Sequence, residues 1–330
     1  MSGKTAKKRP RRTPKKRTLL ITGVCGGVGR VLLRQVLNET DFHVVGIDKR
    51  NWVLDRPDRF EFRRADLRRG SVEDLFRTVR PWGLVHLAFI SDQRISRDKR
   101  HVVNVQGTGR ILDWCQRYGV KKTIMLSRAA VYGASPDNPS LIAEDMPLRL
   151  GAKYTELSDL VEFDHLCRSW MWEHREVEMA LLRPVNIVGP NIREGMLYQY
   201  LRRDPVLTAL GFDPMIQVVH EADVIRAILL SLQREARGIF NIAGDGALPL
   251  SALLRAIGRR RLPVPHPILS AGDHRAFALG LSKLPPHAID FARFSCVVDG
   301  SKARTELGYE PSLSLQETVA AIPSRNAILE

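Results

Sequence analysis

The chain has 330 residues, of which 44% are hydrophobic and 26% charged, and its formal net charge is +15. This composition is typical of a globular protein, and no apolar run approaches the roughly 18 residues that span a membrane. The four cysteines stand singly, in neither a metal-binding nor a disulfide spacing. We therefore expect no metal site and a reducing, cytoplasmic location.

The amino terminus carries much of the excess charge. Residues 1–17 contain nine Lys or Arg and no acid, and no large apolar side chain follows Met1. Such a segment cannot bury an apolar face, so we expect a disordered basic tail. Two roles stay open for it. It is either a solvated arm or an attachment to nucleic acid or to an anionic membrane, which would make the protein peripheral at that membrane.

A predicted strand at residues 19–21 is followed by a glycine-rich turn and an amphipathic helix. In such a turn Gly23 allows a sharp reversal, Gly26 lets the backbone approach a pyrophosphate, and Gly29 lets the helix pack closely. The helix N-terminus adds free N–H groups and a partial positive charge. The predicted cofactor contacts in this turn are Gly23, Gly26, Gly27, Val28 and Gly29.

Asp48 ends the second predicted strand, at residues 43–48. It lies 19 residues after Gly29, close to the roughly 20 expected for the acid that binds the adenine ribose. The glycine turn and this acid together predict a dinucleotide site. A carboxylate would repel the 2′-phosphate of NADP, which favours NAD. Lys49 and Arg50 follow at once and would counter that repulsion, so NADP stays open as the less favoured alternative.

Strand and helix patterns continue to alternate as far as Pro190. This alternation predicts parallel βαβ units and an α/β fold built on a doubly wound parallel sheet, over residues 18–190. After Pro190 the pattern loosens into a smaller C-terminal substrate lobe, residues 191–330, of which about 217–243 return to the sheet. The further predicted strands lie at 60–64, 84–89, 123–126 and 177–182, and the helices at 71–79, 98–118 and 154–174.

Several motifs along the chain share one family likeness. They are T-G-x-x-G-x-x-G at 22–29, V-H-L-A at 85–88, N-V-Q-G-T at 104–108, R-P-x-N-x-x-G-P at 183–190, H-E-A-D-V at 220–224 and N-I-A-G at 241–244. With them the chain resembles the extended short-chain dehydrogenase/reductases of the NAD-dependent epimerase/dehydratase type. The resemblance implies a Rossmann fold and NAD. It also implies contacts to the cofactor from Asp66, Leu67, Leu87, Ala88, Asn104 and Pro184, and to the substrate from Asn186.

The same resemblance implies a tyrosine acid/base, a lysine one helical turn later and a serine or threonine after the fifth strand. Tyr154 matches the tyrosine, but Ser158 replaces the lysine and Arg128 replaces the serine. Ser127 lies one residue early and should point to the opposite face of its strand. A tyrosine titrates near ~10, so it needs a positive neighbour to act as a base at neutral pH.

Three functions therefore stay open, of which the last, a nucleic-acid-binding protein, is supported only by the basic tail. The first is an NAD-dependent oxidoreductase or isomerase acting on a carbinol of a sugar-like or nucleotide-sugar substrate, with Tyr154, Arg128 and Ser127 as candidate catalytic residues. Arg128 would then supply the positive field or bind an anionic substrate. The second is a non-catalytic NAD-binding module tethered by its tail, in which Arg128 forms a salt bridge in a degenerate site. A homodimer stays open in both.

Two further features bear on the substrate and on metals. Ile216 stands where nucleotide-sugar relatives tend to carry an arginine, which weakens the assignment of a diphosphate-linked sugar. His86 and His220 have no second ligand nearby in sequence, so we expect structural hydrogen bonds from both.

Overall fold

The computed structural model describes residues 17–54, 57–279 and 288–323. The basic tail, apart from Arg17, lies outside these residues. The strands of the described part are β1 (Thr18–Thr22), β2 (His43–Asp48), β3 (Phe60–Arg64), β4 (Gly83–His86), β5 (Lys122–Leu126), β6 (Glu178–Pro184), β7 (Asn186–Val188), β8 (Val206–Ala209), β9 (Met215–Ile216), β10 (Val218–His220), β11 (Gly238–Ile242), β12 (Leu248–Pro249) and β13 (Arg261–Val264).

The central sheet has seven strands in the order β3-β2-β1-β4-β5-β6-β11. Every neighbouring pair is parallel, so the carboxyl ends of all seven strands lie along one edge. The predicted α/β fold with a doubly wound parallel sheet is confirmed. The order of the strands reverses between β1 and β4, and in open α/β sheets the ligand crevice lies at this reversal.

Successive side chains of the strands belong alternately to two separate hydrophobic cores, one on each face of the sheet. On β1, Leu19 and Ile21 join the first core, whereas Leu20 joins the second. A strand that is buried on both faces needs an almost continuous apolar sequence, and this explains the short apolar runs seen along the chain.

Helices cover both faces. Buried apolar residues of α1 and α8 belong to the first core, and those of α2 and α4 belong to the second. The helix α6 contributes to both, because Leu160 and Val161 join the first core whereas its later buried apolar residues join the second. The helices are α1 (Gly27–Glu39), α2 (Ser71–Val79), α3 (Arg97–His101), α4 (Thr108–Arg117), α5 (Leu150–Lys153), α6 (Ser158–Glu173), α7 (Met196–Leu201), α8 (Glu221–Gln233), α9 (Leu250–Ala256), α10 (His266–Ala278), α11 (Ala288–Phe291) and α12 (Leu315–Ala320).

Two predicted elements differ in detail. The helix expected at 98–118 is observed as α3 and α4 joined by a π-helical segment, Val102–Gly107. The helix expected at 154–174 begins only at Ser158, because Tyr154 is extended (φ −128°, ψ 91°) and a 3₁₀ turn follows it. The Glu156 carbonyl oxygen accepts a hydrogen bond from the buried Arg100 guanidinium.

The C-terminal half builds a third, smaller core, which includes Leu197, Leu201 and Leu253, and it also contributes to the main sheet. Strand β11 pairs with β6, with Gly238 opposite Ala180. The short pairs β7–β10, β8–β13 and β9–β12 lie outside the sheet. Among the described residues, no helix has both the length and the apolar character that crossing a membrane requires.

Candidate cofactor site and catalytic cleft

The glycine turn between β1 and α1 is packed so tightly that it excludes side chains. Gly23 has φ +73°, and a Cβ there would lie 2.7 Å from the Ala88 nitrogen. A Cβ on Gly29 would lie 2.5 Å from the Gly23 carbonyl oxygen. Gly26 is the N-cap of α1 and has no side chain to satisfy the first N–H groups of the helix. These groups are therefore free to bind an anion, as a dinucleotide pyrophosphate requires.

A loop from the second half of the chain lies over this turn. A Cβ on Gly27 would lie 2.6 Å from the Asn191 carbonyl oxygen. The Asn191 N–H and side-chain amide both donate to the buried Glu221 carboxylate, at 3.1 and 2.6 Å. The loop after β7 is thus fixed against the N-terminus of α8. Val28, the remaining predicted contact of the turn, packs against the first core.

Asp48 lies at the carboxyl end of β2, beside the turn. Its carboxylate accepts hydrogen bonds from the Cys25 N–H at 3.0 Å and from the Arg50 N–H at 2.9 Å. The Arg50 guanidinium donates two more, each at 3.1 Å. Burial alone would raise the Asp48 pKa, but the hydrogen bonds and charge of Arg50 and the Cys25 N–H hold it below its ordinary value. The acid is therefore ionised, and Arg50 uses acceptor positions that a ribose diol would also use.

The next two predicted contacts follow β3. The Asp66 carboxylate forms an ion pair with Arg68, which lowers the Asp66 pKa despite partial burial. Leu67 is buried in the second core. The structure thus places Asp66 at the carboxyl edge of the sheet, two strands away from the glycine turn, with its carboxylate partly exposed.

The residues after β4 complete one wall of the crevice. The Leu87 N–H donates to the Thr22 carbonyl oxygen at 3.1 Å, and the Ala88 N–H lies 3.3 Å from the Thr22 hydroxyl oxygen. His86 is buried between the hydroxyls of Thr22 and Thr108, at 2.8 and 3.1 Å. Burial lowers the His86 pKa to about 4, so the ring is neutral at neutral pH. Its hydrogen bonds are structural, as the sequence predicts.

The side-chain amide of Asn104 forms its hydrogen bonds within the protein. Its side chain binds both backbone polar groups of Ile90, at 2.8 and 3.0 Å, and donates to Asp159 at 2.7 Å. Asp159 also forms a buried ion pair with Arg100. Asn104 therefore fixes the loop after β4. Pro184 is buried opposite Ile242 at the end of β6.

The predicted substrate contact, Asn186, lies on β7 outside the central sheet. Its side-chain amide donates to the Gln217 carbonyl oxygen at 3.0 Å. Gln217 in turn binds both backbone polar groups of Val298. His220 is the N-cap of α8, where its ring accepts the Ala222 N–H at 3.2 Å. In the described part of the chain, no three His, Cys, Asp or Glu side chains are grouped as metal ligands.

Tyr154 has a partner that sequence reasoning did not identify. Its hydroxyl donates to the carboxylate of Asp290, on α11. Burial, this hydrogen bond and the negative charge all raise the Tyr154 pKa, and the more distant Arg293 opposes them only in part. This shift is opposite to the one that a neighbouring lysine would produce. Ser158, at the lysine position, accepts a hydrogen bond from Arg97 at 3.1 Å.

The side chains of Ser127 and Arg128, which follow the end of β5, have different partners. The Ser127 hydroxyl donates to Asp164 at 2.7 Å, within a buried network that includes the ion pair of Asp164 with Arg183. The Arg128 guanidinium lies over the Phe89 ring, 5.2 Å from its centre. Phe89 follows β4 and Arg128 follows β5, which are neighbouring strands.

The charge of Arg128 is not neutralised by contact. Within residues 17–54, 57–279 and 288–323, its guanidinium has no hydrogen-bonded partner and no carboxylate within ion-pair distance. Burial lowers its pKa, while the charges of Glu194 and Asp159 oppose that change from beyond contact. The salt bridge expected in the non-catalytic interpretation is therefore not what the structure shows.

The sequence matches a known family over most of its length. The model for the NAD dependent epimerase/dehydratase family matches residues 19–243. The chain belongs to this family. The match covers the glycine turn, the acid after β2 and the strand that ends in Pro184. It confirms the fold, the family resemblance and NAD as the family's cofactor.

Individual relatives of this epimerase/dehydratase family protein are distant. An uncharacterized protein of Mycobacterium tuberculosis is 29% identical over 91% of this chain and 82% of its own. A UDP-glucose 4-epimerase of Mycolicibacterium smegmatis is 33% identical, but over 52% of this chain and 56% of its own. The crystal structure of UDP-glucuronic acid 4-epimerase from Bacillus cereus with NAD superposes with a TM-score of 0.70, at 20% identity, over 94% of this chain and 98% of that one. At this identity the superposition shows the fold alone.

Proposed function

We propose that this epimerase/dehydratase family protein binds NAD and oxidises a carbinol carbon of a nucleotide-linked sugar, as an epimerase or a dehydratase does. The proposal rests on the predicted dinucleotide site, which consists of the glycine turn, the N-terminus of α1 and Asp48. Gly23 and Gly29 leave room for no side chain, the first N–H groups of α1 lack a cap, and Asp48 is ionised beside them. The relatives named as UDP-glucose 4-epimerase and dTDP-glucose 4,6-dehydratase support this class of substrate.

Each part of this dinucleotide site would have a distinct role. The free N–H groups of α1 would hold the pyrophosphate, and the Asp48 carboxylate would accept the adenine-ribose hydroxyls once Arg50 moves aside. The backbone of Leu87 and Ala88 would form the wall of the site beside the reacting end of the dinucleotide. NAD, when bound, supplies the acceptor for the hydride that leaves the carbinol carbon.

Tyr154 and Asp290 offer a route for the proton. As the substrate hydroxyl gives its proton to the Tyr154 oxygen, Tyr154 passes its own proton to the Asp290 carboxylate. One O–H bond breaks on the substrate and one on Tyr154, while one forms on each of Tyr154 and Asp290. The carboxylate thus acts as the final proton acceptor. This differs from the family's lysine, which acts by its positive charge.

A second candidate function has its own support. The replacement of the lysine by Ser158 and of the serine by Arg128, together with the raised Tyr154 pKa, favours an NAD-binding module without hydride transfer. In that case NAD binds, yet no sugar nucleotide changes its absorbance.

One experiment separates the two. The protein is loaded with NAD, and absorbance near 340 nm is followed in single turnovers with UDP-glucose, dTDP-glucose and UDP-glucuronate. The enzyme proposal expects reduction with at least one substrate, and loss of most of the rate in Tyr154→Phe and in Asp290→Asn. Tyr118→Phe is the matched control, because the Tyr118 hydroxyl binds Glu73, far from the crevice. Absence of reduction with every substrate, with NAD bound, would favour the non-catalytic module.

For the whole chain we propose a cytoplasmic protein with residues 18–190 binding the cofactor and residues 191–330 the substrate. We further propose that residues 1–17 attach it to a polyanion, supported by their nine cations and lack of acids. A truncated chain starting at residue 18 should lose salt-sensitive binding to RNA, DNA and anionic vesicles. Equal binding by both chains at low salt would refute the attachment. Light scattering of the intact protein tests the homodimer.

A further inference from the structure

Arg128 differs from three other arginines of the described chain, Arg97, Arg100 and Arg183, in having no polar partner. Arg97 donates to Ser158 and lies 3.4 Å from Glu162. Arg100 is held by Asp159 and by backbone carbonyl oxygens. Arg183 is bound to Asp164. Arg128 alone of these four, within the described chain, has only an aromatic ring as its contact.

The Arg128 side chain is partly buried, and this burial lowers its pKa because it disfavours the charged guanidinium. A cation over an aromatic face recovers about 0.5–2 kcal/mol, but it satisfies none of the N–H donors. Asp159 is already occupied by Arg100 and Asn104, and Glu194 is exposed and outside ion-pair distance. Arg128 is therefore ready to bind an anion that the protein itself does not supply.

We propose that Arg128 binds a carboxylate on the sugar of the substrate, so that the preferred substrate is a nucleotide-linked uronic acid. The inference rests on the proposed function and names the substrate class. Arg128 follows β5 at the carboxyl edge of the sheet and occupies the place where a serine or threonine would meet the reacting oxygen. Its ligand is thus a group on the sugar ring. A planar guanidinium matches a carboxylate through two parallel hydrogen bonds.

The position of Arg128 favours the carboxylate of the sugar over the diphosphate as its ligand. The diphosphate is the other anion of such a substrate, but a cation that meets the reacting carbon cannot also meet a group at the far end of the sugar. The predicted substrate contact Asn186 lies instead on β7, which pairs with β10 outside the central sheet. A neutral sugar would leave the charge of the partly buried Arg128 unmatched, which disfavours neutral substrates.

The test compares two ligands that differ only at one carbon of the sugar. Calorimetry measures UDP-glucuronate and UDP-glucose binding to the NAD-loaded protein, for wild type, Arg128→Met and Arg128→Lys. Methionine keeps much of the side-chain volume without charge. Arg110→Met is the matched control, since Arg110 is on the outer face of α4 and donates to the Arg68 carbonyl oxygen.

Wild type and Arg110→Met should bind the uronate about 10- to 100-fold more tightly than the neutral sugar, the range of a hydrogen bond to a charged group. Arg128→Met should lose that preference and keep its affinity for UDP-glucose, which also shows that it folds. Arg128→Lys should retain part of the preference, because lysine keeps the positive charge but lacks the planar guanidinium that forms two parallel hydrogen bonds. In single turnovers the rate ratio of the two substrates should change in the same direction.

Different outcomes refute different claims. Equal affinity of wild type for both ligands, or an equal loss of both in Arg128→Met, overturns the carboxylate assignment and leaves the proposed function intact. A wild-type preference for a nucleotide sugar phosphate over the uronate also overturns it. If NAD binds and neither nucleotide sugar does, the proposed function fails and the assignment fails with it.

Discussion

Replacing Gly29 by alanine tests how closely the glycine turn is packed. The new Cβ would lie 2.5 Å from the Gly23 carbonyl oxygen and 2.8 Å from the Val24 Cα and carbonyl oxygen. All three are backbone atoms, so no side chain can rotate to relieve the overlap. Overpacking costs about 1–3 kcal/mol. Alanine in a helix gains about 1 kcal/mol over glycine. The expected net loss in the free energy of unfolding is therefore up to about 2 kcal/mol.

Urea unfolding gives the loss of stability, and titration with NAD gives the change in affinity. Relief of the overlap must shift the turn, so we expect NAD to bind at least about tenfold more weakly, equivalent to 1.4 kcal/mol. Gly272→Ala is the matched control, because Gly272 lies inside α10 and a Cβ there would meet nothing within 4 Å. It should be neutral or stabilising. If Gly29→Ala behaves like Gly272→Ala in both assays, the close packing of the turn is wrong.

Three further outcomes are expected. Asp48→Asn should weaken NAD binding about 10- to 100-fold in the same titration, because an ionised acceptor is lost; an unchanged dissociation constant would argue against ribose binding there. Because burial lowers the His86 pKa from 6.5 to about 4, its contribution to stability is complete above pH 6.5 and is lost as pH falls towards 4. Urea midpoints should show that loss, up to about 3 kcal/mol, in wild type and not in His86→Gln; parallel curves would contradict it. Because the Tyr154 pKa is raised, the stability from its protonated form is lost as pH rises above the ordinary tyrosine value of about 10. Asp290→Asn should lower the Tyr154 pKa, measured by ultraviolet difference titration with Tyr154→Phe as the reference. An unchanged tyrosine titration would contradict the effect of Asp290 on Tyr154.

The sheet and the cofactor turn could be predicted because their signals are local. Three glycines at fixed spacing, an apolar strand before them and an acid at the end of the next strand are all read within about thirty residues. The expectation that Ser127 and Arg128 point to opposite faces rests on the two-residue period of a strand, which needs no tertiary information. It stays a prediction, because both residues follow the end of β5.

The partners of the site residues could not be predicted in the same way. Asp290 lies 136 residues after Tyr154, and nothing in either segment encodes their contact. The helix α6 begins later than the sequence predicts because the backbone of Tyr154 is extended and a 3₁₀ turn follows it. Arg50 was considered only for its charge towards a phosphate, whereas in the fold it turns back onto Asp48.

The bond between Asn191 and Glu221 couples two distant parts of the chain. Glu221 opens α8, one of the helices that support the sheet, and Asn191 places its carbonyl oxygen against Gly27. A change in how the lobe sits on α8 is therefore felt where the phosphates would bind. Substitutions at Glu221 should therefore also move the backbone that lies against Gly27.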